Sequence, residues 1–150
     1  MLCTFDPDTR MMETFPPEFW QAIDQFNLRQ FYACHDTLEA LWMEAMEPEK
    51  RFYQGILQIA VALYHLENEN WRGAVILMGD GMNRLRDYQP AYGNINIKEF
   101  LSQTSHLLKI LQQVGPEQVS TVIQQLREGE GKVELNAYPP LSFPILQKLP

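Results

Sequence analysis

The segment from about residue 49 to residue 67 most constrains how this chain folds. As a helix, it would carry apolar side chains on nearly all of its surface. A helix that is apolar nearly all round is typical of the middle of a helical bundle and not of its edge. Its apolar residues are Phe52, Ile56, Leu57, Ile59, Ala60, Val61, Leu63, Tyr64 and Leu66. The sequence therefore predicts a bundle built around this segment as the third helix.

Periodic apolar residues and punctuating residues predict the other helices. The polar stretch Asn68–Asn70 is a short turn, so the fourth helix should return antiparallel to the third. Pro90 and Gly93 then interrupt the chain, and Asn96 can cap a fifth helix. We predict an all-α fold, a compact helical bundle of five or six helices. The first helix should start near residues 16–17 and end before residue 27, and the others should span about 31–46, 49–67, 71–88, 97–114 and 116–127.

The last stretch, from about residue 128 to residue 150, changes character. Its glycines and prolines predict a non-helical, Pro-rich C-terminal tail. Its apolar residues are Leu135, Tyr138, Leu141, Phe143, Ile145 and Leu146, which indicates that the tail packs onto something. Two alternatives are open: the tail wraps its own bundle, or it docks on a partner. The first is favoured, because an exposed apolar tail would promote aggregation.

Length and charge narrow the class of protein. The 150 residues correspond to about one domain, and we expect residues 1–150 to form a single helical domain. The formal net charge of −7 argues against nucleic acid and anionic membranes as partners, because both are bound by clustered Lys and Arg. The longest stretch without a charged residue, 52–66, is shorter than the roughly 20 residues of a membrane-spanning helix.

The cysteines indicate the compartment. Cys3 and Cys34 are isolated, so they have neither zinc-site spacing nor the density of a disulfide scaffold. Residues 1–10 show no basic region followed by an apolar stretch, which a signal peptide would require. We therefore expect a soluble, acidic protein of the reducing cytoplasm.

One polar constellation could carry chemistry. His35, Glu39 and Trp42 have the spacing i, i+4, i+7, so they project from one stripe of the second helix. At about 100° per residue, His35 falls within the apolar arc of this helix and Glu39 falls at its edge. We therefore expect His35 to be buried and Glu39 to be half-buried.

The third helix carries a complementary polar stripe. Arg51, Gln54, Gln58 and His65 interrupt an otherwise apolar surface. A buried polar group without a partner costs about 1–3 kcal/mol, so the stripe must meet polar groups or water. We infer that it faces His35 and Glu39 across the interface between the second and third helices.

Two interpretations of this cluster are open. In the first, the side chains form a satisfied hydrogen-bond network that fixes helix register in a non-catalytic binding or structural interaction module. In the second, His35, Glu39 and His65 converge on a divalent metal or a small polar ligand, as in a metal-dependent, hydrolytic enzyme. The partner could be a small molecule, another protein or a second copy in a homodimer. His106 lies opposite the apolar face of the fifth helix, so we expect it to face solvent.

Other conspicuous residues have structural explanations. Gly73, Gly79 and Gly81 weaken a helix, and close helix packing is the usual compensation. Cys34 should be a buried, inert thiol. The three tryptophans, at positions 20, 42 and 71, should anchor the core.

The motif also resembles a known family. The segment 31–42 reads Phe-Tyr-Ala-Cys-His-Asp-Thr-Leu-Glu-Ala-Leu-Trp, and the segment 51–60 begins Arg-Phe-Tyr-Gln-Gly-Ile-Leu-Gln. These segments, with Asn70 and Gly73-Ala74, resemble the family called domain of unknown function 309. Its hallmark, His-x-x-x-Glu-x-x-Trp followed by Gln-Gly-Leu/Ile-x-Gln, falls on His35, Glu39, Trp42, Gln54, Gly55 and Gln58. Asp36 stands where relatives often carry Glu.

The resemblance covers about residues 31–93 well, fits the first helix loosely and leaves the C-terminal tail outside. It implies a compact helical fold and an uncharacterised function. It also implies that His35, Glu39, Gln54 and Gln58 belong together, without indicating whether they bind, catalyse or hold the helices.

Overall fold

A computed structural model of the protein describes residues 15–128 and 141–150. The described residues contain six α-helices, so the predicted all-α bundle is confirmed. The helices are α1 (Pro17–Asn27), α2 (Phe31–Glu44), α3 (Glu49–Glu67), α4 (Trp71–Leu85), α5 (Ile97–Val114) and α6 (Val119–Glu128).

The helix ends follow from local capping. Asn96 accepts a hydrogen bond from the backbone N–H of Glu99 at 3.0 Å, which confirms the predicted cap of α5. Asn70 caps α4 in the same way, through the N–H of Gly73 at 2.9 Å. Three predicted bounds were wrong. α2 ends at Glu44, α4 gives way to a 3₁₀ turn over Arg86–Tyr88, and a 3₁₀ turn over Pro116–Gln118 precedes α6.

The helix α3 lies at the centre, as predicted. It contacts α2, α4 and α6. Nine of its residues are buried, namely Phe52, Tyr53, Gly55, Ile56, Ile59, Ala60, Ala62, Leu63 and Leu66. Short connections of three or four residues join α1 through α4, so each helix packs against the next along the chain.

Two glycines allow α3 and α4 to approach closely. A Cβ atom at Gly81 would lie 2.6 Å from Ile59 Cγ1 and 2.7 Å from the backbone oxygen of Gly55. The predicted close packing is therefore confirmed at Gly81, and Gly73 is similarly crowded by Asn70 and His65. At Gly79 the prediction was wrong, because an added Cβ would meet none of the described atoms within 4 Å.

A small hairpin joins α4 to α5 and was not predicted. Its strands, β1 (Ala91–Tyr92) and β2 (Ile95–Asn96), pair antiparallel through a turn in which Gly93 and Asn94 have positive φ. Two residues per strand are too few for an alternating pattern to appear in the sequence.

Residues 141–150 lie against the bundle, where Leu141, Phe143 and Leu146 are buried. They contain no helix, and Lys148 forms an isolated β-bridge with Ile95. The rest of the predicted tail lies outside the described residues.

None of the helices in the described parts of the chain combines the length and apolar character needed to cross a membrane.

Candidate functional site

The buried face of α2 determines how deep its polar residues lie. This face consists of Phe31, Cys34 and Leu38, which pack into the core. At about 100° per residue, His35 points about 70° from the middle of the covered arc and Glu39 points further away. The His35 side chain is accordingly 27% exposed and that of Glu39 is 51% exposed. Both residues are thus shallower than we predicted.

The side chains of His35 and Glu39 form a close pair on the surface of α2. The Nε2 atom of His35 lies 3.4 Å from Oε2 of Glu39, one helical turn further along. The other ring nitrogen, Nδ1, lies 3.1 Å from Oδ1 of Asp36. Two carboxylates therefore flank one imidazole ring.

Two tyrosines extend this cluster across the α2–α3 interface. The rings of Tyr32 and Tyr64 have centroids 5.4 Å apart, and the Tyr32 ring lies 5.9 Å from that of His35. Tyr32 is 59% exposed and Tyr64 is 37% exposed. We call Tyr32, His35, Asp36, Glu39 and Tyr64 the α2 patch. Sequence reasoning missed its tyrosines, although Tyr32 lies seven residues before Glu39 and hence on the same helical stripe.

Gln58 of α3 pairs with α4 and not with α2. Arg84 of α4 donates from Nε to Oε1 of Gln58 at 2.8 Å. Gln54 is half-buried on α3. Among the described residues, no hydrogen bond joins either glutamine to His35 or Glu39, so the two predicted halves do not form one hydrogen-bond network there.

His65 lies in the last turn of α3 and contacts the turn that leads to α4. The side-chain amide of Asn70 lies 3.4 Å from Nδ1 of His65, and the Asn70 backbone N–H donates to the His65 carbonyl at 2.8 Å. The His65 ring also lies beside Tyr64, with centroids 6.3 Å apart. His65 therefore borders the α2 patch while helping to hold this turn.

Trp42 and Arg51 lie at the connection between α2 and α3. Lys50 donates from Nζ to the Trp42 carbonyl at 2.9 Å, and its ammonium lies 4.6 Å from the centre of the Trp42 ring. The Arg51 backbone N–H donates to Oε1 of Glu47 at 2.9 Å. These contacts join the end of α2 to the start of α3.

Burial perturbs several ionisable groups outside the patch. It raises the pKa of the Cys34 thiol to about 12, and the sulfur lies 3.4 Å from the Ala22 carbonyl oxygen. The predicted burial of this thiol is thus confirmed, and its inertness stays a prediction. Burial also raises the pKa of Tyr53 to about 12. The pKa of Tyr92 is raised as well, by burial and by the hydrogen bond of 2.6 Å that it donates to Glu49.

The metal hypothesis receives no geometric support in the described part of the chain. No group of three or more His, Cys, Asp or Glu side chains is placed there to hold a metal ion. His35, Glu39 and His65 therefore do not form the predicted ligand set here. The metal-dependent enzyme stays a prediction from sequence alone.

His106 corrects another expectation. It is half-buried, and its Nε2 atom is buried without a hydrogen-bond partner among the described residues. It lies opposite the apolar face of α5, but the prediction that it faces solvent was wrong. That helix contacts both α4 and α6, so a wider arc of its surface is covered.

These features define an all-α bundle protein with an aromatic and acidic patch on the surface of α2 and the adjoining part of α3. Residues 19–77 match the model of a protein family described as Domain of unknown function (DUF309). The resemblance predicted from the sequence is therefore confirmed over this segment, which runs from α1 into α4 and includes the α2 patch.

One relative matches a longer part of the chain than the family model does. It is named Uncharacterized protein YpuF, from Bacillus subtilis (strain 168), and is 31% identical over 110 residues. These residues are 72% of this chain and 60% of the relative, so the chain spans about three fifths of that relative's length. No solved structure matches the chain.

Proposed function

We propose that the protein is a binding module whose α2 patch docks a basic segment of a partner protein. An arginine of that segment would lie over the rings of Tyr32 and Tyr64 and pair with the carboxylate of Glu39. The observation that carries this proposal is the contact between two exposed tyrosine rings beside a His–Glu pair.

Exposure of the tyrosines favours binding over a structural role. Tyrosine presents a large, stiff, amphipathic surface and is enriched among the residues that dominate binding energy at interfaces. Tyr32 exposes more than half of its surface, which leaves its aromatic ring available to a partner. Met43 is also exposed. It lies eleven residues after Tyr32 on the same stripe of α2 and extends the surface.

Charge indicates a basic partner. The helix α2 contains Asp36, Glu39 and Glu44 but neither Lys nor Arg. Arginine matches this surface better than lysine, because its planar guanidinium stacks on aromatic rings and forms forked hydrogen bonds to carboxylates. The chain's net charge of −7 would attract such a segment at long range.

The His35–Glu39 pair is too weak to serve mainly in holding two helices together. An exposed pair at i, i+4 contributes about 0.3–0.5 kcal/mol. Both members belong to α2, so the pair does not join two helices. We therefore expect Glu39→Gln to change the free energy of unfolding by less than about 0.5 kcal/mol.

A binding measurement tests the proposal. The probe is a short fluorescent peptide of alternating arginine and alanine, titrated with the full chain at physiological ionic strength. We expect Tyr32→Ala to weaken binding about twofold to fivefold, since a cation–π contact contributes about 0.5–1 kcal/mol at exposed sites. Glu39→Gln should weaken it by a factor of about two to five.

Two matched controls separate the patch from general attraction to an acidic protein. Glu117→Gln changes net charge as Glu39→Gln does, but lies beyond α5, and should leave affinity nearly unchanged. A peptide with lysine in place of arginine should bind more weakly. If the Glu39 and Glu117 variants lose affinity equally and Tyr32→Ala loses none, the α2 patch is not the binding site.

We also infer a cytoplasmic setting. Cys34 is a free, buried thiol, which suits a reducing compartment. The acidic charge supports a protein partner over nucleic acid.

A further inference from the structure

We propose that a groove between the α1–α2 turn and the β1–β2 hairpin is a binding site for an extended peptide, and that residues 141–150 of a second copy of this chain occupy it by exchange. We call it the tail groove, formed by Asn27, Phe31, Asn94, Asn96 and Gln103. In this structure the chain's own residues 141–150 fill it.

The tail groove forms hydrogen bonds with the main chain of the segment that it holds. The Asn27 side chain donates to the Leu146 carbonyl at 2.9 Å and accepts from the Leu146 N–H at 2.8 Å. Gln103 accepts from the Ile145 N–H at 2.9 Å. A side-chain amide that donates and accepts at one residue reproduces the pairing of a neighbouring strand.

The hairpin continues this pattern. The Asn96 N–H donates to the Gln147 carbonyl at 2.9 Å, and the Leu149 N–H donates to the Asn94 carbonyl at the same distance. The segment therefore binds as an added strand at the edge of β2. This is how proteins bind extended peptides when main-chain hydrogen bonds supply affinity and alternate side chains supply specificity.

Two side chains of the segment provide the specificity. Phe143 and Leu146 are buried, and the Phe143 ring packs on Phe31 with centroids 5.6 Å apart. The Arg29 guanidinium lies 4.7 Å from the centre of the same ring. The Lys148 ammonium lies 5.0 Å from the centre of the Trp20 ring. The groove thus selects an extended segment with two large apolar residues three positions apart and a basic residue after them.

A second copy supplies this segment without any change in chemistry. Twelve residues separate Glu128 from Leu141, and such a connection can span at most about 40 Å. That exceeds the length of α3, about 28 Å, so a tail can reach beyond its own bundle. Exchange of an identical segment between copies is a common route to dimers.

The chain's own residues 141–150 compete with those of a second copy for the tail groove. A tethered segment has an effective concentration of about 1 mM, so the chain's own tail wins in dilute solution. If the tail is docked in at least nine of ten molecules, the same segment added in trans must bind with Kd below about 0.1 mM. Weakening either the tail or the groove in one copy should therefore reveal binding between copies.

The experiment mixes two complementary variants of the full chain. The tail variant carries Phe143→Ala and Leu146→Ala, and the groove variant carries Asn27→Ala and Gln103→Ala. Each alone should sediment as a monomer, since each lacks one half of the contact. The equimolar mixture should contain a species of twice the mass, which analytical ultracentrifugation measures. A mixture that stays monomeric at submillimolar concentration would overturn exchange between copies.

A second measurement covers the case in which a variant does not fold, which far-ultraviolet circular dichroism would show. A peptide with the sequence of residues 141–150 is titrated to several millimolar into the wild-type chain, because the tethered segment competes with an effective concentration of about 1 mM, and a scrambled peptide serves as control. Saturable, sequence-dependent binding supports the peptide site. Its absence overturns the proposal, and binding of the peptide without mixed dimers rejects the second copy as the occupant. Tyr32→Ala should leave both results unchanged, because the α2 patch is not part of the groove.

Discussion

Burial removes reactivity from the Cys34 thiol. Its sulfur is fully covered and donates to a backbone carbonyl of the preceding helix. Only the thiolate attacks alkylating reagents, and a pKa of about 12 leaves almost none of it at neutral pH.

We therefore predict that iodoacetamide does not modify Cys34 in the native protein at about pH 8, where a thiol of ordinary pKa near 8.5 would react. The same residue should react within minutes after unfolding in guanidinium chloride. Peptide mapping by mass spectrometry measures Cys34 separately from Cys3. Complete labelling of native Cys34 on that time scale would show that the thiol is accessible.

Burial raises the pKa of some tyrosines, so we expect the protein to lose stability in alkaline solution. The folded-state pKa of Tyr53 is raised to about 12, against about 10 in an unfolded chain. The neutral phenol is thus favoured by folding, so this contribution is fully present below about pH 10 and is lost as pH rises toward 12. Tyr92 shifts in the same direction.

Urea unfolding at about pH 9 and pH 11 tests this linkage, with Tyr53→Phe as the control that cannot ionise. The wild type should lose about 1 kcal/mol more than the variant between these two pH values. Equal losses in both proteins would mean that Tyr53 ionises alike in the folded and unfolded states.

The burial of single side chains was harder to predict than which residues belong to the site. The spacing of His35 and Glu39 predicted that they share one stripe of α2, and their side chains do pair there. It could not place the centre of the buried arc, which depends on how α1 and α3 contact this helix. For the same reason the sequence could not show that Gln58 faces Arg84 of α4 instead of α2.

At the scale of elements, helix packing at Gly81 sets the distance between α3 and α4. A Cβ atom there would collide with the backbone oxygen of Gly55, which cannot rotate away. Gly79 lies two residues earlier on the same helix, with open space around it. The two positions have the same helix propensity but opposite packing environments.

We predict that Gly81→Ala destabilises the protein by about 1–3 kcal/mol, because the packing strain outweighs the gain in helix propensity. Gly79→Ala should instead stabilise it by up to about 1 kcal/mol. Chemical denaturation measures both. If the two substitutions have the same sign, close contact between α3 and α4 does not limit packing at Gly81.

Elements with long periodic patterns were predicted well, and short ones were not. The bounds of α3 and α5 agree with the sequence, because many apolar residues and a capping Asn define them. The β1–β2 hairpin and the 3₁₀ turns contain two or three residues each, so they carry no period to detect. The hairpin nevertheless matters, because its edge binds residues 147 and 149.

For the whole molecule, the two proposed binding surfaces use different chemistry. The α2 patch offers aromatic rings and carboxylates to a basic side chain, whereas the tail groove offers hydrogen bonds to an extended backbone. The sequence predicted the histidine and glutamate of the first surface. It indicated that the tail packs onto something, but the amides of Asn27 and Gln103 carry no pattern that distinguishes them from other exposed polar residues.

The claim that the α2 patch binds a basic segment is tested most directly by nuclear magnetic resonance. The isotopically labelled full chain is titrated with the arginine–alanine peptide, and backbone amide shifts are followed. We predict saturable shifts concentrated on α2 and the end of α3, around Tyr32, His35, Glu39 and Tyr64, and their loss in Tyr32→Ala. Shifts that are spread over all acidic surfaces, or that centre elsewhere and persist in Tyr32→Ala, would contradict the assignment.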